Sequence, residues 1–368
     1  MIHDSFGMTD ESEAYEARYW RRLEDGRIEC DLCPRFCKLH DGQQALCYVR
    51  AREGDRLVLT AYGRASGFSL DPIEKKPFFH FVPGTPVLSF GTVGCNLFCK
   101  FCQNWDISRA RALERLTERA SPEAIVRAAE IALCPTIAFT YNDPVISHEY
   151  AVDVAAAARA RGIKTVAVSA GYVSSEPRAE FYRFIDAANI DLKAFSDGFY
   201  ETFCAGRLQP VLETLTYLKR ETNVWLEITN LLIPGLNDGD REIDEMTGWV
   251  AGTLGADVPI HFTAFHPDWK MRDHPATPGA TLARARQRAI ANGVRYAYTG
   301  NVFDRKGSST ACPDCGALLI GRDGYRITEW NLTEDLLCRG CGTALPGVFE
   351  AAPGDWGARR RSIAIAHP

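Results

Sequence analysis

Gly94-Cys95-Asn96-Leu97-Phe98-Cys99-Lys100-Phe101-Cys102-Gln103-Asn104 follows an apolar run, Val87-Leu88-Ser89-Phe90-Gly91-Thr92-Val93. Three cysteines fall within eight residues. A [4Fe–4S] cluster normally takes four thiolates, so a compact set of three leaves one iron without a protein ligand and free to bind a substrate. The competing reading is half of a four-cysteine zinc site, or a group of buried thiols. Zinc pairs usually recur as C-x2-C, and two other places in this chain already have that form.

The chain has 368 residues, 46% hydrophobic and 24% charged, with a formal net charge of −5. That is ordinary for a globular protein with one major core and small satellites, and it gives no global basic field for nucleic acid. Basic runs at Arg109 to Arg119 and Arg359 to Arg361 read as solvated faces or tails. No stretch of about 18 apolar residues is present to span a bilayer. The segment Met1 to Glu11 carries acids early and lacks the apolar core of a secretory signal. The expectation is a cytoplasmic protein without nucleic-acid or membrane partners.

Thirteen cysteines in a reducing compartment argue for metal ligation rather than disulfides. Eleven fall into three groups: Cys30/Cys33/Cys37/Cys47, Cys95/Cys99/Cys102 and Cys312/Cys315/Cys338/Cys341. Cys134 and Cys204 stand alone, and a lone cysteine is usually a small buried hydrophobe; a redox role for Cys204 is the alternative. The N-terminal four lie within 18 residues and converge only if they hold one ion or cluster; thiolate suits zinc and iron–sulfur alike. The C-terminal four form two C-x2-C pairs separated by 22 residues, each followed by glycine, which is a zinc-ribbon pattern. So small a module would need its metal to fold.

Residues 12–24 have helix-forming composition and read as a lead-in helix. Leu57 to Tyr62 reads as a strand. Asp71-Pro-Ile-Glu-Lys-Lys-Pro-Phe-Phe-His80-Phe-Val-Pro-Gly84 is punctuated by proline and charge, hence a solvated loop by composition, with a lid or partner surface as the alternative. From 87 to about 301 short apolar runs alternate with helical patterns. Strands are expected at 87–93, 136–142, 164–170, 187–192, 224–233, 259–265 and 294–299. Helices are expected near 121–132, 144–161, 176–185, 207–221, 239–252 and 278–292. Such alternation implies right-handed β-α-β units and a parallel sheet, as an open doubly wound sheet or a full or partial barrel. Ligands then bind at the carboxyl ends of the strands. Those ends carry the cysteine loop, Thr140-Tyr141-Asn142-Asp143, Ser169-Ala-Gly171, Asp191-Leu-Lys193, the run from Glu227 to Asp238, and the run through His261 to His266. An Asn-Asp-Pro turn, an Asp–Lys structural ion pair and a hydrogen-bonded structural histidine are the plain alternatives.

The C-x3-C-x-aromatic-C spacing at Cys95 to Cys102 resembles the signature of the radical S-adenosylmethionine (radical SAM) superfamily. With Cys30-Asp-Leu-Cys-Pro-Arg-Phe-Cys37, Asp71 to Pro77, Thr140 to Pro144, Asp191-Leu-Lys193, Ile233 to Asp238 and Cys312-Pro-Asp-Cys315, the span from Cys30 to Val348 resembles AmmeMemoRadiSam-system radical SAM enzymes. These are similar to pyruvate formate-lyase activating enzymes, whose likeness covers roughly residues 87–270 and lacks the N-terminal four-cysteine set. The resemblance implies an α/β fold with a partial TIM-type (β/α)6 barrel over 87–303. An N-terminal lobe (1–86), a zinc-ribbon-like module (304–350) and a tail (351–368) complete the expected organisation. It implies a [4Fe–4S] cluster on Cys95, Cys99 and Cys102, with SAM chelating the open iron and cleaved by one electron to a deoxyadenosyl radical that abstracts hydrogen. It implies SAM contacts from Thr140, Tyr141, Asn142, Asp143, Ser169, Asp191, Lys193 and His266, shielding by Phe98, Phe101 and Trp105, and zinc on the C-terminal cysteines. It also implies a Memo-type partner protein and an electron donor such as flavodoxin or ferredoxin. Asp143 stands where the family more often carries Glu, and Ser169-Ala-Gly171 departs from its usual Asn-Gly. A glycyl-radical activase and a non-catalytic metal-binding adaptor are the alternative functions.

Overall fold

The computed structural model describes residues 15–109 and 118–365. The segment Met1 to Glu11, the start of the expected lead-in helix and most of the basic run after Arg109 lie outside the described residues. Seven parallel strands organise the rest: β1 (Pro86–Gly91), β2 (Thr136–Phe139), β3 (Lys164–Ser169), β4 (Ala187–Asp191), β5 (Trp225–Leu232), β6 (Ile260–Ala264) and β7 (Ala297–Gly300). They lie side by side in sequence order. The helices between them are α1 (Pro122–Ile131), α2 (His148–Ala160), α3 (Ser175–Arg183), α4 (Gln209–Glu221), α5 (Asp240–Trp249) and α6 (Gly279–Ala291). The expected alternation is present at every strand and helix, each within a few residues. The sheet stays open as a partial barrel, with β7 at one edge.

Local chemistry sets the boundaries. The Ser121 side chain accepts from the Ala124 N–H at 3.2 Å and Pro122 opens α1, a cap that contributes about 1 kcal/mol. Gly162, at φ +71°, follows the end of α2. Along each strand, alternate residues face opposite sides. Leu88, Ile137, Ala188, Ile228 and Phe262 belong to the main core beneath the helices. Val87, Ala138, Val166 and Ala187 face the other way and pack against Phe78 and Phe81.

Phe78 and Phe81 belong to the stretch that composition reads as a solvated loop, and here the structure corrects the reading. Asp71, Glu74, Lys76 and His80 are all buried. Arg64–Pro72 is a strand antiparallel to β1, and the chain after it fills the inner face of the partial barrel. Its charges are paired inside. Lys75 and Lys76 reach Asp71 at 2.8 and 2.9 Å. Glu74 accepts from the Gly84 N–H at 2.8 Å. The N–H groups of Phe79 and His80 donate to Glu227, whose carboxylate also meets His261 Nε2 at 2.6 Å. Glu227 and His261 therefore tie the plug to the sheet.

Three further readings change. Within residues 15–24 the structure has strands, Tyr15–Glu16 and Trp20–Arg22, because Trp20–Arg22 pairs with Ile28–Cys30; tertiary pairing overrides helix propensity. In the tail, Arg361–Ser362 pairs antiparallel with Leu70 and Ser69 and so extends the large sheet. Arg64–Pro72, assigned by sequence to the N-terminal lobe, joins that same sheet. Thr310–Ala311, Leu318–Asp323 and Arg326–Trp330 form a separate small sheet around the C-terminal cysteines. Among the described residues no helix is long and apolar enough to cross a membrane.

Candidate active site

At the carboxyl ends of the strands lies a cavity of about 460 Å³. Its wall contains Cys95, Cys99 and Cys102 from the loop after β1, Thr140 to Asp143 after β2, Ser169 from β3, and Asp191 and Lys193 at the end of β4. Of the eight residues expected to meet SAM, His266 alone is absent from this wall; it is exposed beyond the end of β6. Of the three expected shielding rings, Phe101 lines the cavity and is buried, whereas Trp105 is 36% exposed and stacks against Trp269.

The cysteine loop is fastened from both sides. Asn142 Nδ2 donates to Thr92 Oγ1 at 3.0 Å and to the Gly94 carbonyl at 2.8 Å, and its Oδ1 accepts from the Thr92 N–H at 3.2 Å. Asn104 Nδ2 donates to the Tyr141 carbonyl at 2.8 Å. On the opposite flank the Phe98 and Lys100 N–H groups donate to the carbonyls of Cys204 and Phe203, at 2.9 and 2.8 Å. These acceptors lie on the π-helical turn Tyr200–Cys204. Gly91 is required here: a Cβ would stand 2.5 Å from the Thr140 carbonyl oxygen. Tyr141 holds φ +73°, a left-handed conformation that L side chains resist.

Asp143 is buried and accepts three hydrogen bonds, from the Val145 N–H and Ser169 Oγ at 3.1 Å and from the Ala170 N–H at 3.0 Å. Burial outweighs these donors and pushes its carboxyl pKa up. Lys193 Nζ reaches Asp191 at 2.9 Å. Burial opposes its charge, but the Asp191 carboxylate and the Cys99 and Cys204 thiols hold its pKa well above the ordinary value. The fully buried Cys204 thiol neighbours the Cys99 sulfur. That neighbour, as an acceptor, and then burial push the Cys99 thiol well up, and burial raises Cys95 to about 12.

Residues 90–246 match the Radical SAM superfamily. The uncharacterized protein MJ0808 of Methanocaldococcus jannaschii is 40% identical over 335 residues, which is 91% of this chain and 99% of that one. The chain belongs to the radical SAM superfamily. Among solved structures it is similar to a domain of pyruvate-formate lyase-activating enzyme from Bacteroides vulgatus, at 19% identity and TM-score 0.40, covering 45% of this chain and 98% of that one. It is also similar to a radical SAM methyltransferase from Sphaerobacter thermophilus, at 14% identity and TM-score 0.46, covering 83% and 81%.

As a radical SAM enzyme the chain implies SAM and a [4Fe–4S] cluster, and the residues present fit both. Three thiols face one cavity beside a half-buried cation, Lys193, and the cavity continues past them along polar strand ends. Sequence reasoning missed several wall residues: Lys75 and Lys76 from the plug, Tyr325 from the C-terminal module and Arg360 from the tail. Lys76 also lies over the Tyr141 ring at 4.6 Å. The signal for the plug was its density of charges within an apolar stretch; nothing in the sequence places Tyr325 or Arg360 beside the strand ends.

The C-terminal cysteines converge tightly. Cys312 and Cys341 sulfurs lie 3.5 Å apart and those of Cys315 and Cys338 3.6 Å apart. Among the described residues they are the only group of three or more candidate ligand atoms all within 4.8 Å of one another.

Proposed function

We propose that this radical SAM enzyme binds its cluster through Cys95, Cys99 and Cys102 and its SAM along Thr140 to Asp143, Ser169, Asp191 and Lys193. The observation that carries this reading is that these side chains, drawn from four strand ends, line a single cavity. When bound, cluster and SAM supply one-electron cleavage to a deoxyadenosyl radical that abstracts hydrogen from a substrate. The protein's own residues bind, orient and shield. Asp143 has about four acceptor positions and three donors on it, which leaves one for the ammonium of a methionine moiety. Lys193 stays charged and offsets the negative charge gathered by three thiolates. Phe101 and Leu97, both buried in the wall, keep water from the sulfurs, and Asn142 fixes the loop that carries them.

Cys312, Cys315, Cys338 and Cys341 are assigned to a structural zinc ion. The sulfur spacing supports this: four thiolates at a Zn–S distance of about 2.3 Å stand close together around one ion.

The test is anaerobic purification with iron, sulfide and zinc counted, followed by deoxyadenosine formation from SAM with dithionite, for wild type and Cys99→Ala. Wild type should release deoxyadenosine and the variant should not. A reconstituted wild type that carries its cluster yet releases none ends this reading; zinc alone, with indifference to Cys99→Ala, would make the chain a metal-binding adaptor.

A further inference from the structure

We infer that Cys30, Cys33, Cys37 and Cys47 hold a second [4Fe–4S] cluster, which passes single electrons to the centre at Cys95, Cys99 and Cys102. The inference rests on the reading of that centre as the SAM-cleaving cluster.

The four N-terminal thiols form one group. Cys30 and Cys37 face each other on paired strands, and each of the four sulfurs lies within electrostatic reach of the other three. Their spacing differs from that of the C-terminal quartet, because no three of them share the 4.8 Å neighbourhood that the quartet does. A single zinc with bonds of about 2.3 Å draws its sulfurs to roughly 3.8 Å. In a four-iron cube each thiolate binds a different iron, so the sulfurs stand further apart. Cys95, Cys99 and Cys102 share this wider spacing. The N-terminal set therefore resembles the cluster cysteines and differs from the zinc ribbon.

The surroundings suit an anionic cluster. Arg50 is 1% exposed, lies near Cys30 and Cys47, shares its charge with the buried Glu149 carboxylate, and has its Nε buried without a partner. Arg35 likewise has a buried Nη2 without a partner. Backbone N–H groups of Leu32, Arg35 and Val49 bear on the sulfurs of Cys30, Cys33 and Cys47 and oppose the rise that burial imposes on those thiols. Leu97 and Asn104 do the same for Cys95 and Cys102.

The two groups also touch. Gly94, one residue before Cys95, has φ +86°, and a Cβ on it would stand 1.9 Å from the Cys47 carbonyl oxygen. Arg35 Nε, two residues after Cys33, donates to the Asn96 carbonyl at 2.8 Å. One backbone contact and one side-chain hydrogen bond thus bring the two cysteine groups together, a proximity that suits electron transfer between them. Cys30, Cys33 and Cys47 are buried and Cys37 is partly exposed, so an electron enters on the Cys37 side. The donor is a low-potential one-electron carrier protein of the flavin or iron–sulfur class. One electron reduces the N-terminal cluster, and the same electron leaves for the Cys95 centre and restores the first cluster; no bond forms or breaks and no proton moves.

The test begins with a Cys95→Ala/Cys99→Ala/Cys102→Ala variant of the full chain, purified anaerobically. It should retain about four iron and four sulfide per chain and give a paramagnetic resonance signal when reduced with dithionite. Zinc in place of iron, or neither, overturns the inference. Should that variant be insoluble, wild type decides by its own count, about eight iron against four. Fully reduced wild type should show the signal broadening of two nearby spins, lost in Cys37→Ser; sharp, additive signals overturn the contact. The ratio of deoxyadenosine formed with reduced flavodoxin to that formed with dithionite should fall at least tenfold in Cys37→Ser, and an unchanged ratio overturns the relay. A wild type inactive with both reductants would overturn the SAM-cleavage reading instead, while the iron count still judges the second cluster.

Discussion

Asn142 Nδ2 lies 2.8 Å from the Gly94 carbonyl oxygen, so the end of β2 holds the residue that precedes the first cysteine of the site. With its two bonds to Thr92, the same buried amide fixes the whole turn out of β1. Asn142→Leu keeps the volume and leaves three buried groups without partners, at a cost of roughly 3 kcal/mol. Expected outcomes are a lower melting temperature and a fall in bound iron after anaerobic reconstitution. Wild-type iron content in the variant would mean that the loop is held elsewhere.

The plug makes a second prediction. Phe78 is fully buried against Val87, Ala138, Val166 and Ala187 on the inner face of the sheet. Phe78→Ala should destabilise the protein by about 3–5 kcal/mol, read by denaturant unfolding. A solvated linker, which composition alone suggested, would register almost nothing.

The partial barrel and its rim were legible because β-α alternation is a local signal: each apolar run of the right length became a strand, and the cavity-lining residues fell at strand ends. The plug was illegible because Glu74 and His80 find partners far along the chain, in Arg322, Glu227 and Tyr298, while Asp71 and Lys76 pair with each other out of water. Composition reports charge; it does not report pairing. Glu227 and His261 failed for a related reason: they sit on the inner face but early in their strands, facing the plug. His266 failed because the chain beyond β6 carries it out to solvent.

Titration of the plug supplies a third prediction. His80 Nδ1 lies 2.7 Å from the Pro346 carbonyl and Nε2 2.6 Å from the Tyr298 hydroxyl, which suits a neutral ring donating at Nδ1 and accepting at Nε2. Burial lowers its pKa to about 4. Between that value and the ordinary one near 6.5, the unfolded chain binds the extra proton and the folded chain does not. The stabilisation is therefore complete above about pH 6.5 and is lost as pH falls towards 4, by roughly 3 kcal/mol over the full window. The melting temperature of wild type should drop between pH 7 and pH 5 more steeply than that of His80→Asn. Equal slopes would remove His80 from the account.

Removal of the proposed zinc tests the C-terminal module. Leu319, Ile320 and Leu332 share a buried cluster with Phe79, Tyr296 and Tyr298, so the ribbon closes over the plug and the β7 edge. Structural zinc contributes on the order of 10 kcal/mol to folding such modules. A chelator should therefore take one zinc, lower the melting temperature and expose the 304–350 segment to protease. Resistance to protease after the metal is gone would show that packing alone suffices.

Cys204 offers the finest probe of the cluster site. Its buried thiol neighbours the Cys99 sulfur and its carbonyl accepts from the Phe98 N–H, so it adjoins the loop through both side chain and backbone. Hydrogen bonds to ligating sulfurs stabilise the reduced, more negative state of an iron–sulfur cluster and raise its potential. Once Cys99 is a ligating thiolate it has no proton to give and only the Cys204 S–H can donate, so Cys204→Ala deletes that donor and leaves the backbone contact. The cluster should still assemble, with a midpoint potential more negative by a few tens of millivolts, the equivalent of a hydrogen bond worth about 1 kcal/mol. Cys204→Ser returns a donor and should recover part of the shift. Redox titration followed by paramagnetic resonance reads both. An unmoved potential in Cys204→Ala would make Cys204 the simple buried hydrophobe that a lone cysteine usually is.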